Sequence, residues 1–298
     1  MAEYRAAFDF HITFTNGGDL SGNGFRIDVP HADVTEAEVG RLLVKSLGLL
    51  MAGTIDIRQL TILEEAHRGS RTVDPPAADR RRLIELSHVI AHGMTTYPGL
   101  PGPEIGDHLS REASEKAYAP GVRFHIGRIS MVANTGTYVD TPFHRFDDGA
   151  DLATSSLEHF ADLEGVLVRT AGSGQRAIDI AQLLPYEVRG RAVLLHTGWS
   201  QHWGTPAYGV DAPFLTEAAT QWLVEHGAAL VGIDSVNIDD VGDGLRPAHT
   251  GLLRAAIPIV EHLTGLEKLP PTGFRFHAAP PRIAQFGTFP VRAYAVVA

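Results

Sequence analysis

The stretch Asn134-Thr-Gly-Thr-Tyr138-Val-Asp140-Thr-Pro-Phe-His144 constrains this chain more than any other part of it. It follows an apolar run at Ile126–Ala133 and compresses Gly136, Asp140, Pro142 and His144 into one short segment. Pro142 fixes its own φ and stiffens the turn between Asp140 and His144. A carboxylate able to act as metal ligand or electrostatic anchor then lies beside an imidazole able to act as general base. Dense Gly, Thr, Asp and Pro also build ordinary turns, so on chemistry alone both readings stand.

At 298 residues and 44% hydrophobic, the chain can bury one large core, or an ordinary domain plus a small one. A formal charge of -10 without a basic cluster argues against nucleic acid and anionic membrane as partners. With no cysteine there is no disulfide framework, no thiolate nucleophile and no thiolate-bound zinc. Met1 runs directly into Glu3 and Arg5 without an apolar signal core, and no apolar run spans a bilayer. A soluble cytoplasmic protein is the expectation.

Residues 1–68 read as a small ββαβ unit. Phe8, Phe10, Ile12 and Phe14 alternate with Asp9, His11 and Thr13, the pattern of a half-buried strand. Asn16-Gly17-Gly18 signals a turn, and Phe25, Ile27 and Val29 alternate again, which predicts a hairpin. Thr35 with Glu38 forms a capping box, and Val34 with Val39 is placed as a hydrophobic staple. The helix they start is predicted to reach about Leu50, with a third strand at Ile55–Glu64. Residues 69–82, with Pro75, Pro76 and the run Arg80, Arg81 and Arg82, read as a linker.

From Leu83 to the C-terminus the motifs are those of an α/β core. Val193–His196 is a buried strand ending at Gly198, Thr216 can cap a helix that Gly227 closes, and Ala229–Ile233 is a second apolar strand. Leu86-Ser-His88 and Pro290-Val-Arg292-Ala resemble the opening and closing strands of a known family.

These segments resemble the metal-dependent cyclase family, which includes bacterial kynurenine formamidases and isatin hydrolases. Its signature His-x-Gly-Thr-His-x-Asp-x-Pro-x-His is matched at Gly136, Thr137, Asp140, Pro142 and His144. The first two histidines, metal ligands in the family, are Asn134 and Tyr138 here. Tyr97-Pro98-Gly99, Trp203-Gly-Thr205 and Tyr208 match further motifs, and His249 with Glu261 matches the second ligand pair in type and spacing. The resemblance spans residues 83–298 and implies the swivelling β/β/α fold, in a homodimer or homotetramer.

The resemblance assigns the site. His144 is the catalytic base, with Asp140, Tyr138 and Glu261 as further catalytic groups, and Asp140, His249 and Glu261 are the surviving metal set. Asn134, Phe143, Trp199, Trp203 and Tyr208 are placed as binders of a small aromatic substrate. His125 and His202 flank motif segments and could reach the pocket. With two imidazoles gone, no tightly bound cofactor is expected, or weakly held manganese or magnesium, and zinc is disfavoured. Without a cation between them, Asp140 and Glu261 should share a proton. A salt bridge to Arg145 or Arg292 would satisfy the buried carboxylates without any function.

Three functions follow. The first is a hydrolase opening an amide, formamide or lactam C–N bond. The second is a metal-independent cyclase, dehydratase or isomerase built on His144 and Tyr138. The third is a degenerate binding paralogue.

Overall fold

The computed structural model describes residues 3–15, 17–47, 49, 52–65 and 81–297. The chain folds as two units, Met1–Arg80 and Arg81–Ala298.

In the first unit, β1 (Glu3–Phe14) pairs antiparallel with β2 (Asp19–Val29) on one side and β3 (Ala52–Glu65) on the other. The alternation read from the sequence sets the faces: Ala6, Phe8, Phe10 and Ile12 are buried in one core with Val39 and Leu43 of α1 (Glu36–Leu47). The capping box is made, since the Thr35 N–H donates to Glu38 Oε2 at 2.9 Å and the Glu38 N–H to Thr35 Oγ1 at 3.3 Å. Val34 and Val39 are both buried, as a staple requires. The described helix runs to Leu47 and Leu49 is already non-helical, while the expected end at Leu50 lies outside the described residues. Strand β3 begins earlier than expected, at Ala52, and Gln59 takes φ 54° where the β1–β3 register shifts.

Of the expected linker, residues 69–80 lie outside the described residues, and Arg82 already opens β4 (Arg82–Glu85). The opening strand therefore lies earlier than Leu86–His88, although the Leu86 N–H still donates to Ala293 O at 2.9 Å.

The second unit continues with β5 (Glu104–Leu109), α2 (Arg111–Ala117), β6 (Ile126–Ser130), β7 (Tyr138–Asp140), β8 (Leu163–Arg169), β9 (Ala177–Ile178) and α3 (Ile180–Leu183). Next come β10 (Ala192–His196), β11 (Phe214–Leu215), α4 (Glu217–Glu225), β12 (Leu230–Ile233) and α5 (Pro247–Arg254). Four strands close it: β13 (Ile259–Glu261), β14 (Phe274–His277), β15 (Thr288–Pro290) and β16 (Tyr294–Val297). The expected closing strand at Pro290–Ala293 is thus split, with its start in β15 and the last strand beginning at Tyr294.

Nine of these strands form one sheet in the order β15-β7-β13-β12-β10-β8-β14-β16-β4. Its middle, β8-β10-β12-β13, is parallel, and both flanks are antiparallel. Parallel strands covered on both faces read as unbroken apolar runs. Val193 and Leu195 pack with Leu223 of α4 and Leu252 of α5, whereas Leu194 packs with Leu167 and Phe274 in a second core. Gly165 lets the Phe274 ring lie against the β8 backbone, where a Cβ would come within 2.0 Å of it. Thr216 caps α4 by accepting from the Ala219 N–H at 3.1 Å. No helix among the described residues is long and apolar enough to cross a membrane. The mixed α/β arrangement is the one the motifs imply.

Candidate active site

Strand register builds the centre of the site. β7 lies between β13 and β15, with Tyr138 opposite Glu261 and Asp140 opposite both Ile259 and Thr288. Residues two apart on a strand share a face, so Tyr138 and Asp140 are presented together. The Tyr138 hydroxyl donates to Glu261 Oε2 at 2.6 Å, and Thr288 Oγ1 donates to Asp140 Oδ1. The 3-10 turn Pro142–His144 then returns His144 Nδ1 to within 2.7 Å of the same Thr288 hydroxyl.

That hydroxyl has a single proton, which Asp140, an acceptor only when ionised, receives. His144 must therefore donate its Nδ1–H to Thr288, which leaves Nε2 unprotonated as a base. The arrangement has the logic of a triad: carboxylate, orienting hydroxyl, imidazole.

His249 enters from α5. Asp239 accepts from the His249 ring Nδ1 at 2.6 Å and from the N–H groups of Ala248 and His249, tying the ring and the helix start to one carboxylate. His249 Nε2 then lies 3.7 Å from both Asp140 Oδ2 and Glu261 Oε1. Glu261 Oε1 also accepts from the Ile238 N–H at 2.6 Å. The direct Asp140–Glu261 hydrogen bond expected of a proton-sharing pair is absent because His249 stands between them.

Electrostatics follow from that placement. Burial opposes charge on His249, but the carboxylates of Asp140, Asp239 and Glu261 outweigh it and raise its pKa to about 10. Burial also works against ionised Asp140, yet His249, His144 and Thr288 hold its pKa below the usual carboxylate range. For Glu261, burial prevails over His249 and raises the pKa. Burial and then Glu261 push the Tyr138 phenol well above its ordinary value. His262 is buried between the Tyr208 hydroxyl at 2.8 Å and the Tyr138 hydroxyl at 3.3 Å, and burial lowers its pKa to about 3.

These residues open onto a cavity of about 400 Å³ whose lining includes Tyr97, Leu100, Asn134, Tyr138, His144 and Arg246. Five of the residues expected at the site (Asn134, Tyr138, His144, His249 and Glu261) line it, while Asp140 lies buried behind His144 and His249. Trp203 and Tyr208 line a neighbouring cavity of about 440 Å³ instead, with Thr95, Thr96 and Pro206. Trp199 is held by its Nε1–H, which donates to Tyr208 O at 2.8 Å, and neither it nor Phe143 lines either cavity. His125 is taken by Asp107 at 2.7 Å and His202 lies against the Trp199 ring, so neither reaches the pocket. Arg292 pairs with Glu85 at 2.8 Å and leaves the buried carboxylates to His249.

Asp239, Thr288, Arg246, Asn237 and His262 were not singled out from the sequence. His262 had one local signal, its place directly after Glu261.

The donor set fits a divalent cation. Asp140 Oδ2 is fully buried without a hydrogen-bond partner among the described residues, as an oxygen reserved for an ion would be. His249 offers Nε2 while Asp239 holds its other nitrogen, the usual support of a ligating histidine. Ligand atoms of Asp140, His144 and His249 all lie within 4.8 Å of one another. This triple contains His144 rather than Glu261, so a second imidazole stands beside the expected set.

A mixed α/β fold thus brings an oriented histidine, a buried carboxylate pair and a second imidazole together at one pocket. Residues 84–240, more than half of the chain, match the Cyclase family, and the chain belongs to it. It is 27% identical over 211 residues to a kynurenine formamidase of Erythrobacter litoralis, covering 68% of this chain and 88% of the relative. A kynurenine formamidase of Geobacillus thermodenitrificans is 28% identical over 171 residues, covering 57% and 78% of the two chains. Among solved structures, isatin hydrolase A from Ralstonia solanacearum superposes with TM-score 0.65 at 22% identity, over 78% of this chain and 100% of that one. At that identity the likeness speaks for the fold.

Proposed function

We propose that the chain is a hydrolase of C–N bonds in small aromatic amides, formamides or lactams. One observation carries this reading: His144 is held by Thr288 with Nε2 free, beside Asp140 and His249, at a pocket walled by Tyr97 and Tyr138. The relatives named kynurenine formamidase and isatin hydrolase support it.

Asp140, His249 and Glu261 would hold the cation, leaving His144 for proton transfer. When bound, a divalent ion supplies Lewis-acid polarisation of the carbonyl and a lowered pKa for water. The chain itself does the rest. His144 Nε2 takes a proton from the water that attacks the carbonyl carbon. As the C–N bond breaks, the same imidazole returns the proton to the leaving nitrogen, giving a carboxylic acid and an amine. Asp140, through Thr288, stabilises the imidazolium that forms in between.

A second reading rests on His249 itself. Its Nε2 lies 3.7 Å from both Asp140 and Glu261, a placement that also suits acid–base chemistry without a metal on this scaffold, as in ring closure or dehydration. Metal content and turnover separate the two. The hydrolase reading expects cleavage of formanilide-type substrates after manganese loading, with loss of at least ~10²-fold in His144→Ala. Equal turnover in chelated and loaded protein favours the second reading, and no cleavage of any aryl amide, formamide or lactam discards the first.

A homodimer or homotetramer belongs to the same reading. The β5–β6 ribbon leaves Ile105, Ile126 and Ile129 exposed, as an assembling surface would. Light scattering of the eluted protein checks it.

A further inference from the structure

Arg246 is an unusual residue in an unusual place. It precedes Pro247 at the start of α5 and has φ 53° and ψ 56°, the left-handed region that a side chain with a Cβ rarely adopts. Such strain persists only where surrounding structure holds it, and it concentrates at functional positions. Here the buried Asp239 holds it, with Arg246 Nε 3.5 Å from Asp239 Oδ2. The same carboxylate fixes His249 and the first N–H groups of α5, so Arg246 is locked to the site's own frame.

The result is a guanidinium in the wall of the 400 Å³ cavity, its side chain 30% exposed. Its two terminal nitrogens make no hydrogen bond among the described residues. Asn237 stands in the same wall, nearly buried, with its amide oxygen taken by the Asp239 N–H at 2.9 Å. Its amide nitrogen is the group left to the pocket. The same lining also includes Tyr97, Pro98 and Leu100. The lining therefore combines a planar fork of donors and an amide N–H with apolar surface for a flat ring.

A guanidinium fork matches a carboxylate through two parallel hydrogen bonds, a geometry lysine cannot reproduce. We propose that Arg246, assisted by Asn237, is a specificity-determining residue that anchors a carboxylate on the aromatic substrate. This deepens the hydrolase reading, on which it rests, by naming the substrate class: an aryl amide that is itself an anion.

The test compares two probes of one shape, 2-aminobenzoate and 2-aminobenzamide, by calorimetric titration of the full chain, with and without manganese. Wild type should bind the acid at least ~10-fold tighter than the amide, and Arg246→Met should erase that ratio. Arg246→Lys, which keeps the charge and loses the fork, should fall between and guards against misfolding of the methionine variant. A charge ratio that is unchanged in Arg246→Met, or absent in wild type, overturns the proposal. Hydrolysis of 2-formamidobenzoate and 2-formamidobenzamide is scored separately. Cleavage of both with charge-blind binding sinks the anchor alone, while charge-selective binding without cleavage sinks the hydrolase reading and keeps the anchor.

Discussion

His144 hands its Nδ1–H to the hydroxyl of Thr288, 2.7 Å away, although 144 residues separate the two in the chain. The contact fixes which nitrogen of the catalytic imidazole is free. Thr288→Val should therefore lower kcat by about 10- to 100-fold with little change in KM, as loss of an outer-shell partner typically does. Thr288→Ser should retain most activity. A valine variant with wild-type kcat would mean that the tautomer of His144 is set elsewhere.

The cation and the base are separable by mutation. If Asp140, His249 and Glu261 hold the ion, Glu261→Gln should weaken manganese binding about 10-fold or more, while His144→Ala binds it as wild type and turns nothing over. Asp140→Asn should lose both binding and turnover. Manganese titration followed by electron paramagnetic resonance reads the affinities directly. Loss of binding in His144→Ala would transfer that histidine to the ligand set and remove it as the base.

Much of this was legible in the chain. The helix α1 and its cap, the β1–β2 hairpin and the parallel strands β10 and β12 follow from local period and punctuation. Asn134, Tyr138, His144, His249 and Glu261 follow from one signature and one spaced pair. What stayed hidden was made by register. Thr288 meets Asp140 only because β15 pairs with β7, and nothing near Thr288 in the sequence announces it. Asp239 and Arg246 acquire roles through a loop whose backbone turns left-handed at Arg246, a conformation the sequence Arg246-Pro247 gives no reason to expect. The tryptophans show the same dependence: an aromatic motif marks burial, and which cavity it faces depends on packing.

Acid should destabilise the protein through His262 and His88, whose pKa values burial lowers to about 3 and about 4. In the unfolded chain both titrate near ~6.5. Below that value the unfolded state takes up protons that the folded state refuses. Stability is thus complete above about 6.5 and lost as pH falls toward the folded values, at about 1.4 kcal/mol per pH unit for each group. Denaturant midpoints measured between pH 7 and pH 4 give the slope. His262→Phe should flatten that slope relative to wild type, and an equal slope in the two proteins would show that His262 titrates normally in the fold.

Tyr138 offers the sharpest test of why this chain departs from the family signature. Its hydroxyl occupies Glu261 Oε2 at 2.6 Å and lies 3.3 Å from His262 Nε2. A phenol whose pKa is pushed up by burial and by Glu261 stays protonated and cannot serve as an imidazole-like donor to an ion. Tyr138→Phe should cost about 1–3 kcal/mol, because Glu261 loses a buried partner. Tyr138→His combined with Asn134→His restores the two histidines of the signature and adds two nitrogen donors beside Asp140. That double variant should bind zinc through dialysis against chelator, and at higher stoichiometry than wild type, because added imidazoles raise affinity for such ions. Elemental analysis after dialysis decides it. An unchanged metal content would show that the β7 backbone, rather than the identity of residues 134 and 138, keeps a further ion out.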